Sequence, residues 1–429
     1  MSENDYGFET LQVRAGYKPE EHNYASAVPI YQTTAFNFGD TKRLDRLYSL
    51  EEEGFYYTRI ANPTTEVLEK RVAALEGGTA AIALASGMAA ITYALLNVAE
   101  YGGEIAAVKT LYSGSFNLFN HILPRFGIKV RWIEDSYDIE SFRKAITPNT
   151  KAIFAESIGN PSISVLDIEA VAKLAHENEI PLIVDNTLPS PYLLNPIKYG
   201  ADIVIHSATK AIGGHGAAIA GIIVEGGKFN WGNGKFPQFT ELDYSVQNRN
   251  IYEVFPTTAF TTRIRFRYLS DFGAAISPFN SFLILQGIET LAVRVKQEVE
   301  NTEEIVKYLS KHPKVAWVRY PSLQGDRNNN LAEKYLTKGS GTIFTFGFKG
   351  NQEEINNFIN SLKLFSFVAN IGDSKSLIVQ PCIATHGTLN VEDRNASGAF
   401  PEALRLSIGL EKAEDLIADL NQAFHKVLD

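Results

Sequence analysis

Two stretches, Leu182-Ile183-Val184-Asp185-Asn186-Thr187 and Ile203-Val204-Ile205-His206-Ser207-Ala208-Thr209-Lys210, share one pattern: a short unbroken apolar run ending in residues able to do chemistry. An apolar run without polar alternation fits a strand buried on both faces, as in a parallel sheet covered by helices. Working outward, further strands are predicted at Ala80–Ala85, Ile105–Val108, Lys129–Ile133, Ala152–Ala155 and Ile219–Val224. Helical segments lie between them. The clearest is Asp167–Glu177, with Ile168, Val171, Leu174 and Ala175 on one face. Thr64-Thr65-Glu66 offers an N-cap for another helix, with Val67, Leu68, Val72 and Leu75 as its apolar face and Gly77-Gly78 as its stop. Strands interleaved with helices predict an α/β fold with a large, mostly parallel sheet.

Beyond Lys210 the order loosens. Residues 226–241 have loop composition, and a helical pattern from Pro278 is expected to reach Leu309. Apolar runs at Val315–Val318, Thr342–Phe348, Ile355–Leu362, Leu377–Val379 and Leu404–Ile408 precede a last helix near Ala413–Val427. This mixture predicts a smaller α+β C-terminal domain. The expected division is an irregular arm at 1–60, a large domain at 61–275 and the C-terminal domain at 276–429.

The chain has 429 residues with 40 basic and 49 acidic side chains, a net charge of −9. That balance argues against nucleic acid or an acidic membrane surface as a partner. Cys382 is the single cysteine, which excludes an intrachain disulfide and a cysteine-built zinc site and fits a reducing, cytoplasmic compartment. The polar start Met1-Ser2-Glu3-Asn4-Asp5 does not read as a signal peptide. Gly77–Ala99 is uncharged and long enough to span a bilayer, but Ser86-Gly87 and flanking Glu76 and Glu100 favour two buried elements instead.

Three strand ends carry the chemistry. Asp185 stands where ligands collect in an open parallel sheet, although an Asp there also serves as a turn cap. Lys210 follows Ser207 and Thr209; burial would lower its pKa and make it a nucleophile, whereas a solvated lysine would do nothing. Ser86-Gly87-Met88 lies between a strand and a helix, as an ordinary tight turn or as an anion cradle at a helix N-terminus. Gly213-Gly214-His215-Gly216 fails as a dinucleotide fingerprint, since Ile219 stands where the last glycine should be and the run precedes a strand. That weakens a nicotinamide-dependent oxidoreductase. The eight histidines include no H-E-x-x-H pair, and no metal site is expected. Taken together, a phosphate cradle, an acid and a lysine at strand ends suit pyridoxal 5′-phosphate (PLP).

With these residues in place the chain resembles the Cys/Met-metabolism group of fold-type I PLP-dependent enzymes over nearly its whole length. The motifs carrying the likeness are Tyr57-Thr58-Arg59-Ile60-Ala61-Asn62-Pro63-Thr64, Ala85-Ser86-Gly87-Met88-Ala89, Val184-Asp185-Asn186-Thr187, Ser207-Ala208-Thr209-Lys210 and Leu404-Arg405-Leu406-Ser407-Ile408-Gly409. The resemblance implies that Lys210 is the Schiff-base lysine and proton shuttle, and that Asp185 pairs with the pyridine nitrogen. It implies that Ser86, Gly87, Met88, Ser207 and Thr209 hold the phosphate. Tyr57 and Arg59 would reach the phosphate of a neighbouring protomer, making the unit at least a dimer and by expectation a tetramer. Tyr112 would stack on the ring, Asn160 approach the phenolic oxygen, and Arg405, with Asn370 nearby, bind the substrate's α-carboxylate.

Within the group the likeness is to the O-acetylhomoserine sulfhydrylase branch. It rests on chain length, on Ile212-Gly213-Gly214-His215-Gly216, on the long insertion through Lys228–Phe272, and on Ala369-Asn370-Ile371-Gly372-Asp373-Ser374-Lys375-Ser376-Leu377. This implies γ-replacement on an O-acylhomoserine with sulfide, with γ-lyase or cystathionine γ-synthase chemistry as the alternative. The departures are Pro189, the segment Gln380-Pro381-Cys382-Ile383-Ala384-Thr385-His386, and Asn390–Ala399. Cys382 reads as a small buried residue or a catalytic thiol. Arg263, Arg265 and Arg267 alternate as on a strand and fit an anion site or an exposed or intersubunit face.

Overall fold

The computed structural model describes residues 6–100 and 102–427. Seven strands form the large sheet: β1 (Ala80–Leu84), β2 (Glu104–Val108), β3 (Lys129–Ile133), β4 (Thr150–Glu156), β5 (Leu182–Asp185), β6 (Ile203–His206) and β7 (Gly221–Glu225). Their order is β1-β7-β6-β5-β4-β2-β3. β7 runs antiparallel to both neighbours, and the other pairs are parallel. The ends of β1, β4, β5 and β6 therefore emerge along one edge of the sheet. Ile183, Val184, Ile203, Val204 and Ile205 are all 0 % exposed. Burying each such side chain contributes about 1.5–3 kcal/mol, which explains the unbroken apolar runs.

Gly77–Ala99 divides as expected into β1 and the helix Gly87–Val98, joined at Ser86. Among the described residues no helix is long and apolar enough to cross a membrane. The helix after the arm starts two residues earlier than the Thr64 cap predicts. Asn62 is its N-cap, accepting from Thr64 N–H at 3.0 Å, and Pro63 takes the first position, where a missing N–H costs nothing. Thr64 ties down the arm instead: its hydroxyl donates to Pro29 C=O at 2.7 Å and accepts from Tyr31 N–H at 2.9 Å. The arm is less irregular than expected, with helices at Phe8–Arg14 and Thr41–Tyr48.

The pattern from Pro278 to Leu309 is two helices, Pro278–Ile288 and Leu291–Leu309, separated at Glu289-Thr290. The second one bridges two cores. Its Leu291, Val295 and Val299 pack with Leu193 and Ala211, while Ile305, Val306 and Leu309 join the core under the smaller sheet. That sheet has the order Val315–Arg319, Ile343–Phe348, Ala403–Ser407, Leu377–Val379 and Ser366–Phe367.

The three alternating arginines lie on a helical stretch, Ala259–Arg263 continuing through a wide π turn at Ile264–Leu269, rather than on a strand. Each has its own intrachain partner. Arg263 binds Asn97 Oδ1 at 2.9 Å and Glu100 at 3.0 Å, Arg265 binds Glu69 at 2.7 Å and Ile60 C=O at 2.7 Å, and Arg267 binds Asp243 at 2.9 Å. They act as braces within the chain.

Candidate active site

One cavity of about 260 Å³ opens at the strand-end edge. Ser86, Gly87, Met88, Tyr112, Asn160, Asp185, Ser207, Thr209, Lys210, Asn370 and Arg405 all line it. The sheet explains why residues so far apart in sequence meet. Glu156 and Asp185 are register partners at the ends of β4 and β5, and Ser207 follows β6 directly. Ser86 caps the helix Gly87–Val98, its hydroxyl accepting from Ala89 N–H at 3.1 Å. Gly87 allows that helix to start against β6, because a Cβ there would stand 2.7 Å from Ser207 Cβ. Gly221 is needed for the same reason, since its Cβ would stand 2.0 Å from the Ser86 carbonyl. The result is a helix N-terminus, with free N–H groups and a positive dipole end, framed by hydroxyls.

Lys210 Nζ donates to Asn370 Oδ1 at 2.6 Å. Burial, and secondarily the Arg405 cation, lower its pKa to about 8. Arg405 lies in the middle of the strand Ala403–Ser407 and is 3 % exposed. It donates through Nη1 to Asn160 Oδ1 at 2.9 Å and through Nη2 to Asn370 C=O at 3.1 Å, and its Nε–H has no partner. Burial lowers its pKa as well. Among the described residues no carboxylate pairs with this buried guanidinium, which makes it a ready receptor for one.

Asp185 is buried and its carboxyl pKa is raised by burial, against hydrogen bonds from Thr187, whose N–H donates at 3.0 Å. Glu156, absent from the expected set, is the hub of this end of the cavity. Its two oxygens accept Tyr112 N–H at 2.7 Å and Asn160 N–H at 3.1 Å, so one carboxyl anchors both loops. Burial, and then the Asp185 charge beside it, push Glu156 well above the ordinary carboxylate range. Two adjacent buried acids resist double ionisation, and a cation opposite Asp185 would relieve them. Glu156 was open to detection: Phe154-Ala155-Glu156 repeats the pattern of an apolar strand ending in an acid that singled out Asp185. Thr187, Ser115 and Thr385 also line the cavity; the Ser115 hydroxyl is buried without a partner.

Tyr57 and Arg59 do not line this cavity. Both are exposed, with the Arg59 guanidinium 4.8 Å over the Tyr57 ring. Lys375 also points away, 63 % exposed and 3.3 Å from Asp373. Cys382 is 6 % exposed, lies outside the lining, and has its thiol pKa pushed up by burial. It is a small packing residue rather than a nucleophile. The Gly213-Gly214 run serves close packing: a Cβ on Gly214 would meet Arg294 Nη1 at 2.1 Å. Among the described residues no group of three or more His, Cys, Asp or Glu side chains is arranged to hold a metal ion.

The model of the family described as Cys/Met metabolism PLP-dependent enzyme matches residues 9–425. The O-acetyl-L-homoserine sulfhydrylase of Leptospira meyeri is 48 % identical over 428 residues, covering 98 % of this chain and 97 % of its own. The homocysteine synthase of Schizosaccharomyces pombe is 44 % identical over 419 residues, covering 97 % of each chain. A crystal structure of a candidate O-acetylhomoserine (thiol)-lyase from Campylobacter jejuni, which contains N′-pyridoxyl-lysine-5′-monophosphate, matches with a TM-score of 0.95 at 39 % identity, covering 98 % of this chain and 100 % of that one. With its strand-end lysine, acid and anion cradle in one cavity, this chain belongs to the Cys/Met-metabolism family of PLP-dependent enzymes.

Proposed function

We propose that the chain catalyses γ-replacement on O-acetyl-L-homoserine with sulfide, giving L-homocysteine and acetate. The observation that carries this reading is the convergence of Lys210, Asp185, the Ser86–Gly87 cradle and Arg405 on one cavity, in a chain 48 % identical to a sulfhydrylase of that ester.

The cavity fits PLP on its own geometry. Gly87 N–H and Met88 N–H at the helix N-terminus, with the hydroxyls of Ser86, Ser207 and Thr209, would hold the phosphate, where an added Cβ on Gly87 would collide with Ser207. Asp185 would face the pyridine nitrogen, whose proton supplies the cation that the Glu156–Asp185 pair lacks. Tyr112 would lie against the ring and Asn160 near its phenolic oxygen. Bound PLP supplies a carbonyl for exchange with amines and a ring that withdraws electrons from the carbons next to the captured amine.

The remaining work falls to the chain. Lys210, once displaced by the substrate's amine, is a base of near-neutral pKa, able to remove the proton from Cα and to return protons along the substrate. Asp185 keeps the proton on the ring nitrogen. Arg405 binds the α-carboxylate and, by fixing it, aims the Cα–H bond at Lys210. The C–O bond at the γ-carbon breaks with its electron pair leaving on acetate, and hydrosulfide forms the new C–S bond there. Tyr57 and Arg59, exposed and away from this cavity, would complete the phosphate site of a second protomer, supporting a dimer of active sites within a tetramer. The arm, large domain and C-terminal domain at 1–60, 61–275 and 276–429 are the proposed divisions. A lone cysteine supports a cytoplasmic location.

Mass spectrometry of products from O-acetylhomoserine, with and without sulfide, tests the reading. Homocysteine formed only with sulfide is expected. Mostly 2-oxobutyrate under both conditions would make the enzyme a γ-lyase, and an unconsumed ester would refute the substrate.

A further inference from the structure

The segment around Thr385 contains a second buried device that the mechanism above does not use. Thr385 lines the cavity, and the imidazole of His386 behind it is 0 % exposed. His386 Nε2 lies 3.3 Å from Leu111 C=O, and His386 Nδ1 lies 2.9 Å from Thr385 Oγ1. A carbonyl only accepts, so the proton of the neutral imidazole sits on Nε2. Nδ1 is then an acceptor, and the Thr385 hydroxyl must donate to it. Burial, with the Arg405 cation nearby, lowers the His386 pKa to about 4 and keeps the ring neutral. Thr385 is thereby left with lone pairs but no free proton.

The carboxyls that also line the cavity are engaged, Glu156 by Tyr112 and Asn160 N–H and Asp185 by Thr187 N–H, and the hydroxyls of Ser86, Ser207 and Thr209 belong to the proposed phosphate site. Arg405, Lys210 and the helix N-terminus are donors. The two amide oxygens at hand are occupied, Asn160 Oδ1 by Arg405 and Asn370 Oδ1 by Lys210. An acceptor-only hydroxyl repels a carboxylate, so it receives neither the α-carboxylate nor the departing acetate. It can take only a donor. Of the donors in the proposed reaction, the substrate's amine is committed to replacing Lys210. Lys210 is committed to the protons of the substrate carbons, so the incoming reactant left to donate is the nucleophile, through its S–H.

We propose that Thr385, pinned by His386, is the specificity-determining acceptor for the S–H of sulfide and aims its lone pair at the γ-carbon. This rests on the sulfhydrylase reading. It adds no atom to the reaction: the S–H proton is held during attack, and hydrosulfide still supplies the C–S bond.

The test is steady-state kinetics of Thr385→Val and Thr385→Ser in the holoenzyme, with separate titrations of sulfide and O-acetylhomoserine. Thr385→Val should raise KM for sulfide by about three- to tenfold, the span of one lost hydrogen bond. KM for the ester should stay put, and Thr385→Ser should restore the sulfide KM. The absorbance change on adding ester without sulfide should survive in Thr385→Val, which shows that the variant is folded and competent before the nucleophile enters. An unchanged sulfide KM, or a rise in the ester KM instead, overturns the assignment. Failure of the wild-type enzyme to make homocysteine would overturn the sulfhydrylase reading itself, so the two failures are distinct.

Discussion

The two sheets serve the cavity in different ways. The seven-stranded sheet delivers Ser86, Asp185, Ser207 and Lys210 at or just beyond strand ends, on backbone fixed by the hydrogen-bond registers of buried neighbours. The smaller sheet delivers Arg405 from within a strand, and loops beside it bring Asn370 and Thr385. In the proposed reaction the groups that would move protons or hold the cofactor sit on the rigid edge. The groups that would receive the substrate's own ends come from the other side. The comparison assigns reaction steps to the first set and substrate affinity to the second, and it can be broken by variants that violate the division.

The largest effect is expected at Lys210. Lys210→Ala should lower turnover by about 10⁴-fold and abolish the lysine-linked absorbance of bound cofactor, read by stopped assays and a spectrum. Arg405→Gln should raise KM for the amino-acid ester about 100-fold, since the charge-assisted hydrogen bonds to its carboxylate are lost, and should change cofactor affinity far less, through the lost bond to Asn160 alone. A loss of cofactor instead would put Arg405 on the wrong side of the division.

The pH dependence of reconstitution sharpens the same point. Only the free amine of Lys210 attacks the cofactor carbonyl, and burial has brought its pKa to about 8. The free fraction rises with pH through that value. The rate at which cofactor-free enzyme takes up PLP should therefore grow about tenfold between pH 7 and pH 9 and then level off. A rate still climbing in proportion above pH 10 would mean an ordinary, solvated lysine.

Glu156→Gln should lower kcat about tenfold, because its amide NH₂ would face one of the two N–H donors that the carboxyl now accepts. Its ester KM should change less than that of Arg405→Gln. The smallest effect is predicted at Gly114, where a Cβ would stand 2.5 Å from Tyr112 Cε1. Gly114→Ala should turn the Tyr112 ring off its present rotamer and shift the cofactor absorbance, at a cost of about threefold in kcat.

What could be read before the fold was known follows from burial. Strands such as Ile203–His206 are rich in apolar residues, so their extent was legible in composition, whereas the roles of the residues at their ends came from the set of motifs and the resemblance they carry. Asn62 as helix cap was missed because Thr64 has the same side-chain capacity, and only the fold shows that its hydroxyl is spent on Pro29 and Tyr31. The arginine series was misread because period-two spacing resembles a strand, whereas a π turn and partners distant in sequence, such as Glu69 and Asp243, decide its form. Glu156 and the Thr385–His386 pair act through contacts with loops far away in the chain. Nothing local in Ala384-Thr385-His386 reveals that Leu111 C=O will set the tautomer.

The most direct test of the division between the two sheets is exchange of the substrate's α-proton in D₂O, followed by NMR at saturating amino acid. The Arg405→Gln enzyme should exchange at close to the wild-type rate once saturated, and the Lys210→Ala enzyme should not exchange measurably. Exchange that persists without Lys210, or that vanishes at saturation without Arg405, would contradict the account.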